Sequence, residues 1–179
     1  MVTVRLALDE DLAGVAALAA RLVRYHHDLD PLRFLLPANV EDGYRHYLRG
    51  ELRSGDVVIL VALKELPHAS HVVGYAYARI EPRNWNDLLD RSGKIQDLFV
   101  LEEERGQGLG RRLLQETIRR LEDLGIPRIV LHTATQNVEA QTLFASEGFR
   151  TTMLEMTREN TRPPRRSVPP ARRSVPPAG

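Results

Sequence analysis

The sequence predicts one domain of mixed α/β class, because strand-like and helix-like patterns alternate along most of its length. The chain has 179 residues, of which 42% are hydrophobic, and this is enough to bury a substantial core. Runs rich in β-branched residues, such as 57–63 and 72–80, have the composition of strands. Other segments place apolar residues three and four positions apart, as an amphipathic helix does.

The first half of the chain predicts a strand, two helices and a β-hairpin. Residues 2–8 alternate between apolar and polar side chains, and Asp9 is expected to cap the helix that follows them. A proline-containing link then leads to a second helix over residues 40–52. The two β-rich runs that follow are joined by a polar link, which is typical of a hairpin.

The second half begins with a loop around Trp85. The elements expected after it are a strand over 95–101, a helix that ends near Leu124, a strand over 128–133, a helix over 137–147 and a last strand over 149–157. Gly125 and Pro127 stop the first of these helices, because neither residue favours continuing it.

A glycine-rich turn, Arg105-Gly106-Gln107-Gly108-Leu109-Gly110, joins the strand over 95–101 to the next helix. Three glycines let the backbone turn sharply and bring its amides close to a ligand. The helix start adds unpaired N–H donors and a partial positive charge, and Arg105 and Arg111 add formal charge beside them. The turn therefore predicts a phosphate site, with a plain strand-to-helix turn as the alternative. Its spacing fits neither the dinucleotide fingerprint nor the mononucleotide loop.

A second motif follows about 25 residues later: Asn137-Val-Glu-Ala140-Gln-Thr-Leu143-Phe144-Ala-Ser-Glu-Gly148-Phe149. The glycine-rich turn and this second motif resemble two motifs of the GNAT superfamily of N-acetyltransferases, and they occur in the same order as in that family. That resemblance implies the GNAT fold, in which helices flank a central, twisted, mixed and mostly antiparallel sheet. An N-capped amphipathic helix accounts for the second motif without any ligand, and the capping and cofactor-binding interpretations are compatible.

The resemblance also implies a reaction, the transfer of the acetyl group of acetyl-CoA to a primary amine of a small molecule or a protein. With no cysteine in the chain, direct transfer in a ternary complex is favoured over an acyl-cysteine intermediate. The backbone amides around Phe99 and Val100 are expected to stabilise the oxyanion. The residues expected to bind acetyl-CoA are Leu98, Phe99, Val100, Arg105, Gly106, Gln107, Gly108, Leu109, Gly110, Arg111, Asn137 and Phe144.

The catalytic groups depart from the family pattern. Phe144 stands where many relatives carry a tyrosine that donates a proton to the CoA sulfur, and Gln96 stands where some carry a glutamate. Asp97 is the expected general base, with Glu81, Tyr77 and His132 as alternatives. The amine acceptor is expected to contact Tyr25, His26 and Trp85, near acidic residues between the first two helices.

Composition excludes several other classes of protein. The absence of cysteine excludes disulfides, and no apolar run is long enough for a membrane span or a secretion signal, so a cytoplasmic protein is expected. Neither His26-His27-Asp28-x-Asp30 nor His68-x-x-His71 predicts a metal site, because such histidines diverge on a helix or lie in a solvated link.

Two units are expected, a domain over 1–160 and a tail over 161–179. The tail holds five arginines and no acid, so the domain carries a net charge of −4, and its repeated Pro/Arg sequence predicts disorder. Five arginines without aromatic residues do not predict a nucleic-acid partner. A non-catalytic acyl-CoA-binding regulator is the alternative function, and the oligomeric state, including a homodimer, stays open.

Overall fold

The computed structural model describes residues 1–67 and 69–160. The predicted disorder of the tail over 161–179 and the placement of His68 lie outside these residues. The elements, in chain order, are β1 (Val2–Leu6), α1 (Leu12–Leu29), α2 (Val40–Glu51), β2 (Val57–Glu65), β3 (Ser70–Glu81), β4 (Ser92–Val100), α3 (Leu109–Asp123), β5 (Ile129–Leu131) and α4 (Val138–Ser146). No helix in this part of the chain is long and apolar enough to cross a membrane.

The described strands form one sheet in the order β1-β2-β3-β4-β5. Pairing is antiparallel from β1 to β4 and parallel between β4 and β5. The parallel pair follows from the connection, because α3 crosses over the sheet between these two strands. This confirms the predicted class, a mixed and mostly antiparallel sheet flanked by helices.

Helices cover both faces of the sheet. On one face α1 and α2 bury a cluster that includes Leu12, Leu48 and Tyr75, each with none of its surface exposed. On the other face α3 buries Leu113, Leu114 and further side chains of β2, β3 and β4. Side chains that alternate along β3 therefore enter two different cores, which explains why its sequence is apolar almost throughout.

The start of α1 differs from the prediction. β1 ends at Leu6, and a single 3₁₀ turn over Asp9–Asp11 precedes the helix. Among the described residues no side chain caps the start of α1; Asp11 Oδ2 instead accepts the amide of Leu8, which precedes the 3₁₀ turn, at 2.7 Å and a 2.6 Å bond from Arg5. Asp11 is nearly buried, so its charge needs the paired arginine, whereas Asp9 is exposed and pairs with Arg49 at 2.8 Å.

The predicted last strand over 149–157 is wrong, because the structure assigns no strand to residues 149–160. The segment has β-forming side chains, but a strand needs a partner along its whole length. β5 is only three residues long and pairs with β4. Met153, Leu154 and Met156 consequently lie at the surface.

Candidate active site

A β-bulge lies in the middle of β4. Tyr77 of β3 pairs with Asp97, but the next residue, Ala78, pairs with Ile95, so Gln96 is an extra residue in β4. Without the bulge, Ile95 and Asp97 would point to the same face of the sheet. With it, Ile95 packs in the α3 core, while Asp97 points to the opposite face, where it bonds Tyr75.

The bulge also marks a fork between β4 and β5. The parallel pairing runs from Gly93 to Ile95 and ends there, whereas β4 continues to pair with β3 as far as Val100. Leu101 donates its amide to the Val73 carbonyl at 2.9 Å. Because donors alternate along an antiparallel strand, the Phe99 amide points to β3, and the Leu98 and Val100 amides point into the fork.

The glycine-rich turn presents amides at the end of this fork. Gly106 and Gly108 have φ of 74° and 76°, a conformation that favours glycine, and a Cβ at either position would meet only open space. Leu109 begins α3, and the first amide that donates within the helix is that of Arg112, to Gly108 at 3.0 Å. The preceding amides, from Leu109 to Arg111, are therefore the unpaired donors of a helix start, which suit an anion.

Arg105 is engaged by the fold itself. Its Nε donates to the Val100 carbonyl at 3.0 Å, and its guanidinium lies 5.6 Å from the centre of the Phe99 ring. These contacts hold the start of the glycine-rich turn against the end of β4. Arg105 thus shapes the turn as well as adding positive charge beside it.

The second sequence motif forms the capped helix that its residues predict. Asn137 Oδ1 accepts the Ala140 amide at 3.2 Å, which is an N-cap contact. Phe144 packs edge-on against Phe149 with ring centres 6.0 Å apart, beside the α3 core. Leu143 reaches the first turn of α3, where its methyl group would lie 3.7 Å from a Cβ at Gly110.

On the opposite face of the sheet, Asp97 lies among tyrosines. Tyr75 donates its hydroxyl to Asp97 Oδ2 at 3.0 Å. Burial raises the pKa of Asp97 to about 6, although the Tyr75 hydrogen bond opposes the shift. Burial and the nearby Asp97 charge raise the pKa of Tyr75 and Tyr44, so both phenols keep their protons at neutral pH.

A second network on this face joins β3 to α2. Tyr77 donates to Glu51 Oε2 at 2.7 Å and bonds the Tyr47 hydroxyl at 2.9 Å, while Arg79 holds both oxygens of Glu51. Burial would raise the pKa of Glu51, but the hydrogen bonds from Tyr77 and Arg79 outweigh it and lower that pKa. Burial and these partners raise the pKa of Tyr77, so its phenol stays protonated at neutral pH and serves as a hydrogen-bond donor rather than a base.

We refer to Asp97 with Tyr44, Tyr47, Tyr75 and Tyr77 as the tyrosine-lined face. Sequence reasoning singled out Asp97 and Tyr77 but missed the other three tyrosines and Glu51. Spacing offered a signal, because Tyr75 and Tyr77 are two apart on a strand while Tyr44 and Tyr47 are three apart on a helix. Each pair must share one face of its element. The spacing of residues along the sequence could not show that the tyrosine pair of α2 faces the tyrosine pair of β3.

The remaining candidate residues lie in the last turns of α1, in the exposed loop around Trp85, or at the ends of strands β3 and β5. His26 stacks on Phe34 at 5.1 Å and lies 5.8 Å from the Tyr25 ring, so these two candidates meet at the end of α1. Trp85 is 74% exposed, and the Arg83 guanidinium already covers one of its faces. Glu81 approaches Arg79 at 3.9 Å, and His132 is exposed.

Within the described residues, no group of three or more histidine, aspartate or glutamate side chains is arranged to hold a metal ion. His27 Nδ1 instead bonds the Phe34 carbonyl at 2.8 Å.

Comparison with known proteins adds independent findings. The family model described as Acetyltransferase (GNAT) family matches residues 16–149. The chain is 29% identical over 154 residues to an aminoalkylphosphonate N-acetyltransferase of Salmonella typhimurium, with 86% of this chain and 88% of that enzyme covered. It is 26% identical to a mycothiol acetyltransferase of Jonesia denitrificans, with 80% of this chain but 49% of that enzyme covered.

Solved structures share the fold at low sequence identity. A tetramutant of the BH1408 protein from Bacillus halodurans superposes with a TM-score of 0.73 at 19% identity, covering 88% of this chain and 99% of that one. The enzyme AAC(6')-Iy, in complex with a bisubstrate analogue built on CoA, gives 0.67 at 17% identity, covering 89% and 98%. A predicted acetyltransferase from Clostridium acetobutylicum, solved with acetyl-CoA, gives 0.67 at 17%, covering 88% and 96%.

Proposed function

The chain belongs to the acetyltransferase (GNAT) family and is an acetyl-CoA-dependent acyltransferase, and from this premise we propose that it acetylates the primary amine of a small molecule. Acetyl-CoA and the amine bind together, and the acetyl group moves directly between them. The observation that carries the proposal is the bulge at Gln96, which opens the sheet beside β5 and turns Asp97 to the other face at the same point.

The glycine-rich turn is the proposed site for the diphosphate of acetyl-CoA. The residues there fit such a group, because Gly106 and Gly108 leave open space where side chains would stand, and the first-turn amides of α3 point out of the helix. The acetyl-bearing arm then extends along the fork between β4 and β5. The Leu98 and Val100 amides that point into this fork are the proposed oxyanion donors.

The reaction needs a base, because an alkylammonium group has a pKa near 10.4 and only the neutral amine is a nucleophile. The amine nitrogen attacks the thioester carbon, and the carbon–sulfur bond breaks as the tetrahedral intermediate collapses. One proton passes from the ammonium to the base, and a second leaves the nitrogen as the CoA thiolate becomes a thiol. Acetylated amine, CoA and one released proton are the products.

We assign the role of base to Asp97. With a pKa of about 6, its carboxyl is mostly ionised at pH 7 yet more basic than an ordinary aspartate. The protonated hydroxyl of Tyr75 orients it through the 3.0 Å hydrogen bond. Its position one residue past the bulge, where the fork opens, supports the assignment, since amine and thioester must meet there.

The acceptor is proposed to approach from the tyrosine-lined face on the side of Tyr44 and Tyr47, because Tyr75 and Tyr77 are buried. Phenol rings and a carboxylate suit a cationic amine through cation–π and charge attraction. The names of the relatives support a small acceptor, because one is an aminoalkylphosphonate N-acetyltransferase and another is a mycothiol acetyltransferase. We propose that Tyr25 and His26, where α1 ends, contribute to the outer part of the acceptor site.

The test is acetyl-CoA-dependent release of CoA thiol by the full chain. Aminoalkylphosphonates, amino acids, polyamines and aminoglycosides are supplied in turn, and products are identified by mass spectrometry. Thiol release that depends on one class of amine and yields its N-acetyl derivative is the expected result. If a native protein that binds acetyl-CoA acetylated only hydroxyls or thiols, amine transfer would be wrong while the family assignment stood.

A further inference from the structure

Arg111 and Glu147 stand at helix ends that disfavour their charges. Arg111 lies in the first turn of α3, where the helix dipole repels a cation, and Glu147 lies at the C-cap of α4, where it repels an anion. A phosphate bound at the start of α3 would explain why a cation stands there, but it would explain only Arg111. It would not explain a mostly buried carboxylate, with 12% of its side chain exposed, in the same place.

The contacts that the two side chains make with each other and with their neighbours explain the positions of both charges. Arg111 Nη1 lies 2.9 Å from Glu147 Oε1, and Arg111 Nη2 donates to Ser146 Oγ at 3.1 Å. The second carboxylate oxygen of Glu147 accepts Gln115 Nε2 at 3.0 Å, one turn further along α3. Glu147 is thus held by two residues of α3, while Arg111 holds two residues at the end of α4.

We propose that Arg111 is a positioning residue, which braces α4 against the first turn of α3 and neutralises Glu147, and that it does not bind the diphosphate. The proposal rests on the function proposed above, because it concerns the same anion site. Main-chain amides then provide the contacts to the diphosphate at this helix start, and the guanidinium is committed to the protein. This differs from the sequence interpretation, in which Arg111 adds charge for the phosphate.

The brace matters to binding for two reasons. First, α4 carries the Leu143 side chain that packs beside Gly110, so movement of α4 would disturb the turn that presents the amides. Second, without Arg111 the carboxylate of Glu147 would be left mostly buried and unneutralised near an anion site, where it would repel the diphosphate.

A double-mutant cycle with Arg111→Gln and Glu147→Gln tests the proposal, with acetyl-CoA binding measured by calorimetry and folding by thermal unfolding. We expect Arg111→Gln to weaken binding about tenfold. The double variant should return to within about threefold of wild type, because it removes the stranded carboxylate and two amides can hydrogen-bond each other. Arg112→Gln is the matched control, since Arg112 is the next residue, carries the same charge and contacts only the Val2 carbonyl among described partners.

Two outcomes would overturn the proposal. If Arg111 binds the diphosphate directly, the double variant stays as weak as Arg111→Gln. If Arg111→Gln binds as wild type does, the brace has no role in binding. Failure of the proposed function is read separately, from wild-type protein that is folded yet binds no acetyl-CoA.

Discussion

The glycine-rich turn follows β4 and the tyrosine-lined face includes Asp97 of β4, but the chain builds the two regions differently. The turn, the end of β4 and the first turn of α3 come from one continuous segment, 96–112. The tyrosine-lined face takes Tyr44 and Tyr47 from α2, Tyr75 and Tyr77 from β3, and Asp97 from β4. The first region depends on local backbone conformation, and the second depends on packing between distant segments.

The two regions also manage charge in different ways. At the turn, positive potential comes from main-chain amides, which need no ionisable group, while Arg105 and Arg111 are held by Val100 and Glu147. At the tyrosine-lined face, burial acts on an ionisable group and raises the pKa of Asp97 to about 6. An anion site can thus be rigid and insensitive to pH, whereas a base must titrate near the working pH.

The largest expected effect separates chemistry from cofactor binding. Asp97→Asn removes the proposed base but keeps a side chain that can accept the Tyr75 hydrogen bond. We expect kcat to fall roughly 10²- to 10⁴-fold, with the dissociation constant of acetyl-CoA unchanged. Steady-state kinetics and calorimetry measure the two quantities. A matching loss of acetyl-CoA affinity would mean that the two regions are not separable.

Thermal unfolding provides the control for this variant. The folded state raises the pKa of Asp97, so it binds the proton more tightly than the unfolded chain does, and stability falls as pH rises from the ordinary carboxyl range through about 6. The Asp97→Asn variant cannot ionise at this position, so it does not lose stability as the pH rises through this range. It should therefore be more stable than wild type at pH 7, by about 1–2 kcal/mol, and less affected by pH.

The next effect concerns the turn. Gly108→Val forces a β-branched residue into φ of 76°, which costs about 1–2 kcal/mol and is relieved by moving the amides. We expect acetyl-CoA affinity to fall about five- to thirtyfold, while the pH at which Asp97 titrates stays the same. Gly125→Val is the matched control, because Gly125 has φ of 70° and open space at the other end of α3. That variant should lose stability but not affinity.

A smaller effect is expected from Tyr75→Phe. The Tyr75 hydrogen bond lowers the pKa of Asp97 against the effect of burial, so its loss should raise that pKa above about 6. The rising limb of the profile of kcat/KM against pH would move to higher pH, by about one unit. An unchanged limb would show that Asp97 is not the group that titrates. The profile of Gly108→Val should keep the wild-type limb.

The smallest effect concerns the start of α4. Asn137→Ala removes the cap on the Ala140 amide and should lower the free energy of unfolding by about 1 kcal/mol, whereas Asn137→Ser keeps a capping oxygen and most of the stability. If Asn137 only caps the helix, acetyl-CoA affinity follows stability in both variants. If its amide group also contacts the cofactor, as the resemblance implies, both variants bind more weakly although the serine variant is stable.

Much of the fold was predictable because its signals are local. The β-branched runs of β2 and β3, the glycine-rich turn and the N-cap at Asn137 each depend on residues close together in the sequence. The errors arose where a distant partner decides the outcome. Residues 149–157 have strand-like side chains but no paired strand, and the Asp9 carboxylate does not cap α1 but accepts hydrogen bonds from Arg49 of α2.

By itself, the sequence determined the class of fold, the position of the glycine-rich turn and the family to which the chain belongs. Only the tertiary structure decided which face Asp97 occupies, because one extra residue in β4 inverts the alternation and is visible only in the register with β3. It also decided the partners of Arg111 and the surroundings that raise the pKa of Asp97. Dihedral preferences are properties of neighbouring residues, whereas burial and ion pairing depend on groups that folding brings together from remote parts of the chain.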